Sequence, residues 1–236
     1  MKFKAFSRLL IGACLLPACW AAALVLWDSI ILSAGAVGGF TVEAMSLLGG
    51  IVAFTFCWMA LSHPVKTYVL GHELTHAMWA IMFGAKASDV RISEKGGSVR
   101  LTKTNIFITL APYFFPFYTF IVIIAALITY AFFRPLPCLA LWMFLVGFTW
   151  AFHALFTIET LMQRQPDVKA YGRLFSWTFI FLANILVILL WLWATTPMEF
   201  ASLSASIAYR LTSAYAMIFS SFVSIFKFIG GLCSQI

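Results

Sequence analysis

Apolar residues along this chain come in long runs rather than in strict alternation. Stretches 9–26, 45–61, 65–84, 106–133, 136–158 and 174–194 each come close to or exceed the roughly 20 apolar residues a helix needs to cross a hydrocarbon core. The pattern predicts an all-α polytopic membrane protein with about six transmembrane helices. A different rhythm separates the third and fourth runs: Val90 and Ile92 alternate with polar neighbours, as do Val99 and Leu101, on either side of Gly96-Gly97. That is the pattern of a short β-hairpin with a glycine turn. Residues 199–233 carry a weaker signal, with Phe200, Leu203, Ile207, Leu211 and Ile218 spaced among serines. They predict an interfacial amphipathic helix or a weak last span.

Composition strengthens the membrane reading. Hydrophobic residues make up 63% of the chain and charged residues 10%, against about 25% charged in a soluble domain. No polar linker and no internal repeat divides the sequence, so a single membrane-embedded domain over 1–236 is expected. The net charge of +7 does not point to nucleic acid, because the basic residues sit in scattered loops rather than on one soluble face. Loops 85–104 and 159–173 hold most of them and are separated by two predicted spans, so both can face the cytoplasm. By the same count Lys2, Lys4 and Arg8 fall outside unless the link 29–43 re-enters or lies in the interface instead of crossing. Leu16-Pro17-Ala18-Cys19 has the look of a lipoprotein cleavage site, but the apolar run continues to Leu26, which favours a retained anchor. Five cysteines without paired spacing offer neither a disulfide framework nor a thiolate zinc site.

One segment carries chemistry. In Gly71-His72-Glu73-Leu74-Thr75-His76-Ala77 the two histidines stand four residues apart, so on a helix both imidazoles leave one face and can reach a common tetrahedral zinc. Glu73 lies about 100° round the helix, where it can act as a general base toward water. The bland alternative is a pair of histidines satisfying hydrogen bonds inside a helical bundle. It fits poorly, because ionisable groups in the middle of an apolar run are expensive and usually functional. His63, followed by Pro64, marks a break between helices and receives no catalytic role.

This motif inside a hydrophobic helix resembles that of the site-2 protease family of intramembrane zinc metalloproteases, and the β-patterned stretch after it resembles the short β-structure of that family. The resemblance implies an aspartate on a later helix as third ligand. Its counterpart here is Asp167 in Gln165-Pro166-Asp167-Val168, where Val168 replaces the glycine of the family's commoner pattern. Helix capping is the competing use of Asp167. His153, alone in an apolar run, is the rival third ligand, or else a partner orienting Asp167 or a proton relay.

The resemblance also implies Zn2+ as cofactor, membrane-anchored proteins as substrates, and a multi-pass location in the lipid bilayer of a bacterial inner membrane. An exposed strand of the hairpin could hold an unwound substrate by β-augmentation, and a solvated hairpin without that role is the alternative. Three other functions stay open at this point: a membrane zinc peptidase that cuts soluble loops, a non-catalytic relative that binds membrane proteins, and a transporter using His and Asp as a proton or metal path.

Overall fold

The computed structural model describes residues 2–36, 41–94 and 96–233. Helices α1 (Lys2–Ala36), α2 (Val42–Ala60) and α3 (Val65–Met82) precede strands β1 (Ala87–Ser93) and β2 (Gly96–Leu101). A short helix α4 (Ile106–Leu110), a 3-10 turn (Ala111–Tyr113), α5 (Phe117–Phe132) and α6 (Leu139–Met162) follow, then α7 (Pro166–Tyr171), α8 (Arg173–Thr195) and α9 (Phe200–Cys233). The structure is thus mostly helical with a small hairpin. It divides into two compact units, Met1–Gly39 with Gly172–Ile236, and Phe40–Tyr171.

Among the described residues four helices are long and apolar enough to cross a membrane: α1, α2, α6 and α8. Their outward faces carry large apolar side chains such as Trp20, Phe56, Leu141 and Trp177, a surface that suits hydrocarbon and not water. A fifth span exists if Ile106–Tyr113 and Phe117–Phe132 count together, for the two meet at 83°. Pro112 and Pro116 account for the bend, since each removes a backbone donor and clashes with the preceding turn. The expected third span is not among these helices. Lys66, His72, Glu73 and His76 interrupt the apolarity of α3, so its length is right but its composition is not. The link 29–43 is helical through Ala36 and again from Val42, and 37–40 lie outside the described residues.

In the first unit α1 packs on α8 and α9. Val25, Ile185, Leu189 and Leu203 form its core. Arg210 donates from Nε and Nη2 to Oδ2 of Asp28 at 2.9 and 2.6 Å, and Tyr215 donates to the Cys14 carbonyl at 2.7 Å. These bonds fix the serine-rich α9 alongside α1.

In the second unit α2 and α6 approach backbone to backbone. A Cβ on Gly50 would collide with the Phe144 carbonyl oxygen and meet the Phe148 nitrogen at 2.7 Å, and one on Gly147 would collide with the Leu47 carbonyl oxygen. Gly49, next along α2, would meet nothing nearer than a Phe144 ring carbon at 3.8 Å. Gly50→Ala is therefore expected to destabilise the protein by about 1–3 kcal/mol through overpacking. Gly49→Ala should be neutral or stabilising by about 0.5–1 kcal/mol, since Ala is the better helix former. Thermal unfolding of both variants in detergent checks the contrast, and equal midpoints would remove the close approach as its cause.

The hairpin forms, with β1 and β2 antiparallel and Ala87 opposite Leu101. Its turn lies earlier than the sequence suggests. Ser93 pairs with Gly96 and Ile92 with Gly97, so both glycines belong to β2 and the connection runs through Glu94 and position 95, the latter outside the described residues. Gly96 has a φ of +135°, which explains one glycine. The other is explained by the site it touches.

Candidate metal centre

The site is built on α3, whose position is fixed at its C-terminus and midway along it. At its C-terminus Gly84 adopts a φ of +71° while Ala85 N–H bonds the Ala80 carbonyl at 2.8 Å, the Schellman closure that glycine makes possible. Ala80, Ala85 and Ile108 then share a buried cluster. Midway, a Cβ on Gly71 would stand 2.8 Å from the Tyr118 ring, and the Tyr118 hydroxyl donates to the Thr67 carbonyl. Glycine lets α5 close on α3 at that point.

His72 and His76 leave the same face, their ring centroids 4.9 Å apart. His76 Nδ1 lies 2.8 Å from the Ile108 carbonyl oxygen. A carbonyl only accepts, so Nδ1 carries the proton and Nε2 keeps its lone pair. The carbonyl is available for a reason legible in the sequence. In an uninterrupted helix it would accept from the residue four further on, but that residue is Pro112, which has no N–H. His72 Nδ1 lies 3.3 Å from the Tyr68 hydroxyl, so its Nε2 is also turned the other way.

Both Nε2 atoms point at one carboxylate oxygen, Asp167 Oδ2, at 3.6 Å from His72 and 3.5 Å from His76. Asp167 enters from α7, whose first residue is Pro166, the residue type suited to a helix start. Asp167 is the second residue of α7, and its Oδ2 also accepts a hydrogen bond of 3.1 Å from the buried Tyr113 hydroxyl. Burial works to raise the Asp167 pKa, but contact with His72 and His76 overrides it and holds the carboxyl well below the usual carboxylate range.

Facing donor atoms of His72, His76 and Asp167 lie within 4.8 Å of one another. The two N···O separations are longer than the 2.7–3.2 Å of a good hydrogen bond (about 3 Å is usual). They are close to the ligand-to-ligand spacing of about 3.4 Å that follows from tetrahedral zinc with bonds of about 2.0–2.1 Å. Two imidazoles whose Nε2 atoms face one ionised carboxylate are the donor chemistry of an open zinc site. The residues present fit the metal.

Glu73 is 7% exposed and borders the same cavity, of about 590 Å³, as His72, His76 and Asp167. Gly97 lies against it: a Cβ there would stand 2.6 Å from Glu73 Cγ, 2.7 Å from Val69 Cγ1 and 2.8 Å from Glu73 Oε1. The second glycine of the pair thus serves a close approach of strand to carboxylate and not a turn. Lys66 and Glu94 pair at 2.9 Å on the exposed edge of this contact. Among the described residues the sheet has two strands, so one edge of β2 has no strand partner, while Gly97, Ser98 and Val99 line the cavity.

His153 is buried on α6 but is not in the three-residue cluster. It borders a separate small cavity together with Tyr68, His72 and Thr75. His63 occupies the break between α2 and α3, stacked on Trp58 at 3.7 Å with Nε2 3.1 Å from the Trp58 carbonyl oxygen. Sequence reasoning missed Tyr68, Tyr113 and the Ile108 carbonyl, of which only the last has a local signal, the proline four residues on. No protein-family model matches the chain, and neither does any curated protein or solved structure.

Proposed function

We propose that this protein is an intramembrane zinc endopeptidase of the site-2 protease kind, hydrolysing peptide bonds in or beside the membrane segments of membrane-anchored proteins. The observation that carries this reading is the convergence of two histidine Nε2 atoms on Asp167 Oδ2 at the wall of a cavity that Glu73 also lines. On this reading α3 is a sixth embedded segment. Its polar face is covered by β2, the 3-10 turn and α7, so its ionisable groups avoid lipid. A bacterial inner membrane as the location rests on the family resemblance.

His72, His76 and Asp167 would hold the zinc. When bound there, zinc supplies Lewis acidity toward water and toward the scissile carbonyl. Glu73 accepts a proton from the attacking water and delivers it to the leaving amine nitrogen. Burial of Glu73 beneath β2 keeps that proton from bulk solvent. The free edge of β2 gives an unwound substrate main-chain hydrogen bonds. This matters because a helical segment has its carbonyls occupied and must become extended before one can be attacked. A cavity of about 590 Å³ is large enough for a few extended residues.

The test is cleavage of a single-span test substrate by the purified chain in detergent. Cleavage should stop when a chelator removes metal and return on adding Zn2+. Chelator-insensitive cleavage, or none with zinc stoichiometrically bound, would end the proposal.

A further inference from the structure

The bent segment between α4 and α5 carries groups that no catalytic step above uses. Tyr113 is 0% exposed, and its hydroxyl donates to Asp167 Oδ2 at 3.1 Å, the same oxygen that both imidazoles face. Five residues earlier, the Ile108 carbonyl holds His76 Nδ1 at 2.8 Å, released for that purpose by Pro112. Tyr113 also meets the His72 ring edge to face, with centroids 5.3 Å apart. One short broken stretch therefore touches all three donors.

We propose that this stretch is the outer half of the metal centre, with Tyr113 and the Pro112-released Ile108 carbonyl as positioning groups that hold Asp167 and His76 in their metal-binding orientations. The inference rests on the metal reading of the site. It gives the break in the apolar run a chemical reason. An unbroken helix would satisfy the Ile108 carbonyl within itself and leave Nδ1 of His76 without that partner. Asp167 has particular need of a fixed partner, since it sits on a six-residue helix whose own hydrogen bonds do little to hold a side chain. Tyrosine suits the task, because its hydroxyl can donate to a carboxylate without adding a second negative charge beside it.

The experiment is Co2+ and Zn2+ binding to the full-length chain in detergent, followed by the visible absorption of Co2+ and by competition with a chromophoric chelator. Tyr113→Phe removes one hydroxyl, and Pro112→Ala restores the N–H that would compete for the Ile108 carbonyl. Each is expected to weaken metal binding roughly 10- to 100-fold, the usual cost of losing an outer partner, and to change the Co2+ spectrum. A merely structural role would shift thermal unfolding of the metal-free protein and leave affinity and spectrum alone. Wild-type affinity and spectrum in both variants would overturn this inference while leaving the metal reading intact. If Tyr113→Phe fails to fold, Pro112→Ala decides by the same measurements. A wild-type chain that binds no Co2+ would instead overturn the metal reading, and this inference with it.

Discussion

Glu73→Gln should lose turnover and keep its metal. A positioned general base contributes roughly 100- to 10,000-fold to a rate, and an amide cannot accept the proton, so cleavage of a single-span test substrate should fall by that factor. Zinc content should stay at the wild-type level, because the donor cluster is His72, His76 and Asp167 without Glu73. Gln is the informative replacement for a packing reason. Gly97 lies on the Glu73 side chain closely enough that even a methyl group there would clash, so Gln keeps the volume under β2. Alanine would leave a void and let the hairpin settle, confounding lost chemistry with altered access. Parallel assays of cleavage and bound zinc separate the outcomes. Activity within a few-fold of wild type would remove Glu73 from the mechanism, and loss of zinc would show a ligating or structural role instead.

The parts of this site that the sequence makes visible are the local ones. His72 and His76 are separated by one helical turn, so helical geometry alone brings them together, and the hairpin follows from alternation at Val90, Ile92, Val99 and Leu101. Asp167 is a long way off in the chain, and only a family resemblance singled it out. Tyr113 carries no such signal, because its value depends on which carboxylate stands opposite, a tertiary fact. Pro112 is intermediate. That it frees a carbonyl at position 108 follows from helix geometry, but not that His76 would use it. Gly96-Gly97 misled by resembling a turn. Glycine answers both to positive φ and to close approach, and only coordinates tell Gly96, which has the first need, from Gly97, which has the second. α3 has the length of a span, although Lys66, His72, Glu73 and His76 dilute its apolarity.

Asp167→Ala should lose metal and His153→Ala should keep it. Removing Asp167 leaves two imidazoles, one donor short of the three that catalytic zinc sites normally use. Affinity should therefore fall by more than the roughly 10- to 100-fold expected for an outer partner, and cleavage should be lost at ordinary zinc concentrations. His153 is outside the donor cluster and borders a different cavity, so His153→Ala should keep zinc near stoichiometric. One complication is built into the first variant: deleting the carboxylate removes the acceptor of the Tyr113 hydrogen bond, which costs stability independently of metal. Combining Asp167→Ala with Tyr113→Phe removes both halves of that hydrogen bond. If the double variant regains thermal stability but not zinc, the loss belongs to the missing ligand. Zinc retained without Asp167 and lost without His153 would reverse the assignment and make His153 the third donor.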